Sequence, residues 1–266
     1  MHRKESGTAL ISLFKIQAMK KLFMFLPFLI LLSCSAPDRD AIFHYSVLKA
    51  LDNGVLEGNM TAGELKKHGN IGLGTFNKMD GEMVVLDGIV YRVSQDGKIK
   101  EQPDDALIPY SIVAFYKQDH LLLRTDKTDY PALKALADSL LPSPNLFYAF
   151  RITGEFEYIK CGGSDMQEKP YDKSLNQMLA ARPVYEGRNV KGTLVGFWCP
   201  KYIGDINSQR FHLHFLSDDL TIGGHLMEFA ASKLEIGYDI KTAYRINLPD
   251  TRLFREARFR SEAVNY

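Results

Sequence analysis

The chain has 266 residues, with 33 Lys and Arg against 32 Asp and Glu, and 45% of its residues are apolar. These values are typical of a folded globular protein and exclude a disordered or collagen-like chain. The formal charge of +1, without a basic stripe, excludes the electrostatic footprint of a nucleic-acid binder, which clusters Lys and Arg against phosphates. We therefore expect a globular protein with no nucleic-acid partner.

The amino terminus has the pattern of a bacterial export signal. Lys20 and Lys21 precede an apolar run over residues 22–32, and Cys34 follows shortly after it. The run is about half of the ~20 residues that a spanning helix needs, so the pattern predicts a cleaved signal peptide rather than a membrane span. Because residues 31–34 also resemble a lipobox, we expect a lipid anchor at Cys34 and a location at the bacterial cell envelope. An ordinary signal peptide with an incidental cysteine is the alternative.

The rest of the predicted organisation follows from this signal. Residues 1–18 have no signal character, which makes Met19 the more natural start. In chain order we predict an extension before the true start at 1–18, a lipoprotein-type signal peptide at 19–34, a tether at 35–40, an amino-terminal β-rich half at 41–144 and a carboxyl-terminal β-rich half at 145–266. Two cysteines besides Cys34, Cys161 and Cys199, are too few for a disulfide framework, and we expect both to be free.

The amino-terminal half opens with helical spacing and continues with strands. Apolar residues predict a helix over 43–52, and Thr61 with Glu64 three residues later predicts a capped helix over 61–67. Asp-Gly pairs then punctuate short apolar runs, which predicts β-hairpins. The predicted strands include residues 83–86, 89–93, 112–115 and 121–123, and a helix is predicted over 131–141.

The carboxyl-terminal half is predicted to be mostly strands. They cover residues 146–152, 155–160, 193–198, 211–216, 225–231, 233–240 and 242–248, with one helix over 174–181. The segment after Pro249 is predicted as a short helix or a tail. We therefore expect an α+β fold that is predominantly antiparallel β, with two β-sheet layers or subdomains and a few covering helices.

Three histidines lie within fourteen residues of one another in the carboxyl-terminal half. His212 and His214 are two residues apart on a predicted strand, so both side chains point to the same face. After a turn, His225 begins the next predicted strand, and a hairpin register would bring it beside the first two. Three neutral imidazoles with an open fourth position are typical of a catalytic zinc site. A His-x-His pair alone is equally an ordinary strand pair, and the third histidine favours metal binding.

The residues around these histidines resemble a known family. Residues 211–219, followed by Gly223-Gly224-His225, resemble the zinc motif of the alpha-acetolactate decarboxylases. Further blocks match that family in the same order, at residues 68–77 with 80–83, 145–152, 167–171 and 192–198. The resemblance covers residues 44–266, essentially the whole domain after the signal.

This resemblance implies a metal-dependent carboxy-lyase that converts 2-acetolactate to acetoin and CO2, with Zn2+ held by His212, His214 and His225. Loss of CO2 from a 2-hydroxy-3-keto acid leaves an enediolate anion, which a metal stabilises and a positioned acid protonates. Glu82 matches the family's active-site carboxylate, although a residue after an Asp-Gly turn is by itself more typical of an exposed hairpin. We expect the zinc site to lie in the cleft between the two sheet layers.

Two positions depart from the family pattern. Gly162 stands where relatives carry an active-site arginine, and Lys160 is the nearest replacement, with a solvated strand residue as its alternative. Near the carboxyl end, Asn265 falls on the position of an active-site glutamate, and Glu262 is the offset candidate. The catalytic candidates are therefore Glu82, Lys160 and Glu262.

Several alternatives remain open. Beside a slow acetolactate decarboxylase, the departures leave open a relative with changed or lost activity, which is either a decarboxylase for another 2-hydroxy-3-keto acid or a zinc-binding lipoprotein without catalysis. A cupin-like metal protein would instead need Asp218 as a ligand beside the histidines. We expect no nucleotide cofactor, because the chain has no dinucleotide fingerprint and no phosphate-binding loop. The expected partners are a small 2-hydroxy-3-keto acid such as acetolactate and a membrane only through the lipid anchor at Cys34. The resemblance adds a second copy of the chain in a homodimer as an expectation.

Overall fold

Antiparallel strands make up most of the chain, as the turn-rich sequence predicts. The computed structural model describes residues 38–259. The strands are β1 (Ala41–Tyr45), β2 (Met60–Thr61), β3 (Ile71–Thr75), β4 (Glu82–Leu86), β5 (Ile89–Val93), β6 (Ile99–Glu101), β7 (Leu107–Ile108), β8 (Tyr110–Ala114), β9 (His120–Arg124), β10 (Thr128–Asp129), β11 (Phe147–Gly162), β12 (Val184–Gly187), β13 (Val190–Cys199), β14 (Arg210–Ser217), β15 (Gly223–Lys241) and β16 (Ala243–Asn247). The helices are α1 (Leu48–Asp52), α2 (Ala62–Leu65), α3 (Tyr130–Leu140), α4 (Leu175–Ala180) and α5 (Arg252–Glu256).

Four features predicted from the sequence fall outside these residues. They are the extension at 1–18, the signal peptide at 19–34, the expected lipidation site Cys34 and the catalytic candidate Glu262. Within residues 38–259, none of the helices combines the length and the apolar content that crossing a membrane requires.

The first sheet has seven strands in the order β16-β1-β8-β3-β4-β5-β6. All neighbours in it are antiparallel except β1 and β16, which run parallel. The tight β4–β5 hairpin turns at Asp87-Gly88, where both residues have positive φ, 52° and 81°. This is the backbone geometry that makes Asp-Gly a favourable two-residue hairpin turn.

The second sheet is built around the long strand β11. β11 pairs with β13 on one side and with β15 on the other, β13 pairs with β14, and β14 pairs with β15. These four strands thus form a closed cycle of pairings, and β9, β10 and β12 extend it. Three aromatic rings from two of these strands, Phe150 and Phe156 of β11 and Phe215 of β14, belong to one buried cluster, in which Phe156 and Phe215 pack edge to face with centroids 5.0 Å apart.

A second buried cluster joins the two sheets. Ile42 and Leu73 of the first sheet pack in it with Val195 and Phe197 of the second, and all four are fully buried. The opposite face of the first sheet is covered by α2, whose Leu65 packs in a third cluster with strand residues. The predicted class, two antiparallel layers with a few covering helices, is confirmed.

The predicted helix over residues 43–52 is wrong in its first half, because residues 41–45 form β1 and only Leu48–Asp52 is helical. Ile42 packs between the sheets while Phe43 packs on the opposite face. This alternation has the two-residue period of a strand, which the apparent helical spacing concealed. Ser46, with φ 70°, separates the strand from the helix.

Two further helices agree with the prediction, and two pairs of predicted strands each turn out to be one longer strand. The helices predicted over 131–141 and 174–181 are confirmed as α3 and α4, whose caps Asp129 and Ser174 accept hydrogen bonds from backbone N–H groups. The strands predicted over 146–152 and 155–160 are one strand, β11, and those over 225–231 and 233–240 are one strand, β15. The two halves of the chain also exchange strands, since β9 pairs with β15 and β16 pairs with β1.

Candidate metal centre and active site

The hairpin of β14 and β15 brings the three predicted histidines together. His214 lies directly opposite His225 in the strand register, and His212 lies two residues before His214 on the same face. The ring centroids of His212 and His225 are 5.0 Å apart, and each lies 5.3 Å from the ring of His214. One ring nitrogen from each histidine can be chosen so that all three lie within 4.8 Å of one another.

The glycines before His225 allow this approach. Gly224 has φ 119°, and a Cβ atom there would lie 2.6 Å from the carbonyl oxygen of Gly162 on β11. A side chain at position 224 would therefore push β15 away from β11 beside the histidines. The glycine directly before His225 is therefore required for steric reasons, in addition to being part of the sequence motif.

The electrostatics keep the three rings neutral. Burial, followed by the charge of Arg182, lowers the pKa of His212 to about 4. Burial also lowers the pKa values of His214 and His225 well below their ordinary value, and the charge of His212 adds to the effect. A neutral imidazole offers the lone pair that a metal ion needs.

The hydrogen bonds fit the same role. Nδ1 of His214 lies 2.7 Å from the carbonyl oxygen of Met83, so Nδ1–H donates to it and the lone pair of Nε2 is left facing the other rings. Nδ1 of His212 is buried without a hydrogen-bond partner among residues 38–259. An unpartnered buried nitrogen beside two neutral imidazoles is what a metal-binding triad provides. The residues present therefore fit a zinc ion.

Glu82 faces this triad from the other sheet. It is the first residue of β4, directly after Gly81, and its Oε2 lies 3.6 Å from Nε2 of His214. The side chain is 7% exposed, so Glu82 is not the exposed hairpin residue that its turn sequence alone indicates. Burial raises the pKa of Glu82 to about 8, against the lowering effect of Arg182.

Lys160 lies in a different environment from Glu82. Its Nζ lies 3.2 Å from Oε1 of Glu228 on β15, and that contact raises its pKa. The charges that act on its pKa are those of Glu228, Tyr158 and Glu186, none of which belongs to the triad. The structure therefore places Lys160 in a partly exposed ion pair and supports its alternative as a solvated strand residue.

Asp218 and Asp219 lie in the turn between β14 and β15. Asp219 accepts hydrogen bonds from the hydroxyls of Ser217 and Thr221, both at 2.7 Å, and Asp218 is exposed. Among the described residues, the group able to hold a metal contains the three histidines and neither aspartate. The ligand set that a cupin-like site would need is therefore not assembled.

Arg182 is a site residue that the sequence reasoning missed. It lies in the loop between α4 and β12, and its guanidinium covers Gly162, where a Cβ atom would lie 2.5 Å from Nε and 2.8 Å from Cζ. Its charge lowers the pKa values of Glu82 and of the three histidines. The one local signal is the Gly162-Gly163 pair at the end of a strand, because glycine there often marks a close approach by another group.

Comparison with known proteins gives a consistent result. The family model described as alpha-acetolactate decarboxylase matches residues 42–261. The alpha-acetolactate decarboxylase of Methylococcus capsulatus is 34% identical over 227 residues, 84% of this chain and 87% of that protein, and that of Bacillus licheniformis is 32% identical over 220 residues, 83% and 87%. The crystal structure of alpha-acetolactate decarboxylase from Bacillus subtilis strain 168 superposes with a TM-score of 0.80 at 32% identity, covering 83% of this chain and 94% of that one. A Staphylococcus aureus protein of unknown function, described as similar to alpha-acetolactate decarboxylase, gives a TM-score of 0.80 at 26% identity, covering 83% and 94%.

Proposed function

Since this chain belongs to the alpha-acetolactate decarboxylase family, we propose that it catalyses the zinc-dependent decarboxylation of 2-acetolactate to acetoin and CO2 through an enediolate anion. The observation that carries the proposal is the neutral triad of His212, His214 and His225, with its ligand atoms within 4.8 Å, facing the buried carboxyl group of Glu82. A zinc ion held by the triad supplies a Lewis acid that stabilises negative charge on oxygen.

The proton balance defines what Glu82 must do. When the bond to the carboxylate carbon breaks, its electron pair passes into the neighbouring ketone and gives the enediolate. Formation of acetoin then takes up one proton at the carbon that lost CO2. Oε2 of Glu82, 3.6 Å from Nε2 of His214, places a carboxyl group beside the ligand triad, where it can deliver that proton. Solvent restores the proton after each turnover.

The burial of the site supports this chemistry. Glu82 and His214 are 7% and 1% exposed, so that charges around the reacting atoms are poorly screened by water. The half-buried His212 and His225 form the more accessible side of the triad. A small anionic substrate can therefore reach the triad while the acid stays shielded from solvent.

Acetoin formation and metal content, measured on the same sample, test the proposal. We expect the chain from Ser35 onward to bind about one zinc ion and to form acetoin from racemic 2-acetolactate. His214→Ala is expected to lose both properties, whereas His120→Ala, which changes an exposed histidine on β9, is expected to keep both. Bound zinc without acetoin would refute the decarboxylase, and full zinc occupancy in His214→Ala would refute the triad.

We propose in addition that the protein is exported and anchored to the bacterial envelope through lipidated Cys34. The support is the sequence alone, namely the basic pair, the apolar run and the lipobox-like residues 31–34, which lie outside the described residues. Labelling with a radioactive fatty acid in a bacterial host tests it. The label should disappear in Cys34→Ser and persist in Cys199→Ser, which changes a buried free cysteine. Equal labelling of wild type and Cys34→Ser would overturn the proposal.

A further inference from the structure

The guanidinium of Arg182 places a positive charge beside the histidine triad, although Arg182 does not lie on β14 or β15, the two strands that carry the histidines. Its Nε and Cζ lie 2.5 and 2.8 Å from the point that a Cβ atom on Gly162 would occupy. Gly162 is paired with His225 in the β11–β15 register. The loop around it is fixed to the same strand end, because the N–H of Gly163 donates to the carbonyl oxygen of Pro183 at 2.7 Å. The guanidinium is therefore positioned by backbone contacts at the edge of the site.

This guanidinium has no acceptor of its own in residues 38–259. Other arginines of this region are paired with carboxylates, among them Arg92 with Asp80 and Arg151 with Asp87. Arg182 is half-buried and takes part in none of the ion pairs or side-chain hydrogen bonds of this part of the chain. A guanidinium has five N–H donors and no acceptor atom, so one that lacks a protein acceptor beside a metal-binding triad has its donors free for an anionic ligand.

We propose that Arg182 binds the carboxylate of the substrate. The inference rests on the proposed function, in which the substrate is a 2-hydroxy-3-keto acid. The planar fork of a guanidinium matches the two oxygens of a carboxylate and holds them in a defined orientation. With the carboxylate bound by Arg182, the hydroxyl and ketone oxygens of the same small molecule are left to face the triad.

The charge balance predicts which kinetic constant depends on Arg182. The substrate carries a carboxylate, whereas both products, acetoin and CO2, are neutral. Contact with Arg182 is strongest in the bound substrate and weakens as CO2 departs, so it stabilises the substrate complex at least as much as the transition state. Loss of Arg182 should therefore raise KM and leave kcat nearly unchanged. A guanidinium that stabilised the enediolate would instead show its effect in kcat.

The first test is kinetic and uses the zinc-loaded chain. We expect Arg182→Ala to raise KM for 2-acetolactate by about tenfold or more with kcat within about threefold, Arg182→Lys to lie between, and added guanidinium chloride to lower KM of the alanine variant. Arg188→Ala is the matched control, because Arg188 lies in the turn between β12 and β13, over the ring of Tyr158. A large fall in kcat at unchanged KM would overturn the proposal.

The second test needs no turnover and so separates this proposal from the proposed function. Calorimetry compares 2-hydroxy-2-methylpropanoate with its neutral amide, 2-hydroxy-2-methylpropanamide, on wild type and Arg182→Ala at equal zinc content. We expect the acid to lose about tenfold in affinity in the variant and the amide to change less than about twofold. Equal losses for acid and amide would show a merely structural role and overturn the proposal. If wild type forms no acetoin but prefers the acid through Arg182, the decarboxylase is refuted and the anion site stands.

Discussion

His44 is a buried histidine whose neutrality couples stability to pH. Its side chain on β1 is fully buried, its Nδ1 lies 2.7 Å from Oη of Tyr244, and its Nε2 has no hydrogen-bond partner within residues 38–259. Burial, and then the charge of His212, lowers the pKa of His44 from 6.5 to about 3. The unfolded chain binds a proton on this ring below pH 6.5, whereas the folded chain does not. Stability is therefore complete above pH 6.5 and falls as the pH drops toward 3.

The size of the effect follows from the pKa difference. One pKa unit corresponds to about 1.4 kcal/mol, so acidification from pH 6.5 to pH 5 removes about 2 kcal/mol from the free energy of unfolding through this single ring. His44→Asn replaces the titrating ring by an amide near the position of Nδ1. Because this variant lacks the ring, its stability should not show that loss. The stability difference between wild type and variant should therefore shift by about 2 kcal/mol in favour of the variant between pH 7 and pH 5.

Urea unfolding of the metal-free chains at pH 7, 6 and 5 measures this shift. Removal of metal with a chelator keeps proton competition at the triad equal in all samples. His120→Asn, the same substitution at an exposed histidine on β9, is the matched control. If the difference between wild type and His44→Asn does not change between pH 7 and pH 5, the account of His44 as a neutral buried ring is refuted.

Three further predictions concern the site and one buried ion pair. Glu82→Gln is expected to keep its zinc, measured by mass spectrometry, while acetoin formation slows by about 10²- to 10³-fold, and unchanged kinetics would remove Glu82 from the mechanism. Gly162→Ala places a Cβ 2.5 Å from Nε of Arg182 and must displace it, so KM for acetolactate should rise; an unchanged KM would mean that the guanidinium has room to move without loss of function. In the wild type, Nζ of Lys241 lies 2.6 Å from Oδ2 of Asp239, and both side chains are fully buried. Lys241→Met leaves Asp239 without its ion-pair partner and should lower the free energy of unfolding, measured by urea titration, by about 3–5 kcal/mol. A loss under about 1 kcal/mol would show that other groups satisfy Asp239.

The parts of the site that follow from strand periodicity could be predicted from the sequence. His212 and His214 share a face because alternate residues of any strand do, and a short turn brings His225 opposite. Three histidines at this spacing predict a metal site, because few other structural roles require several histidines on one face of a hairpin. The hairpin at Asp87-Gly88 follows for a similar reason, since its backbone geometry is specified by two adjacent residues.

The parts that depend on contacts between distant segments could not be predicted in this way. The burial of Glu82 requires the second sheet to cover the start of β4, and a turn sequence carries no information about that cover. Arg182 reaches the site from a loop twenty residues after Gly162. Its guanidinium occupies the space that a side chain at Gly162 on β11 would fill. β1 was mistaken for helix because five residues are too few to separate the two periods when both faces are apolar.

The parallel pairing of β1 with β16 has a consequence for the order of folding. β1 begins at Ala41 and its partner at Ala243, so the two strands are separated by nearly the whole domain. A ribosome must therefore have synthesised almost all of the domain before the edge of the first sheet can close. Contacts between such distant segments are slow to form because they require closure of a very long loop. The nascent chain is thus kept from completing its fold until synthesis is nearly finished, a state in which a polypeptide can still be threaded through a narrow pore.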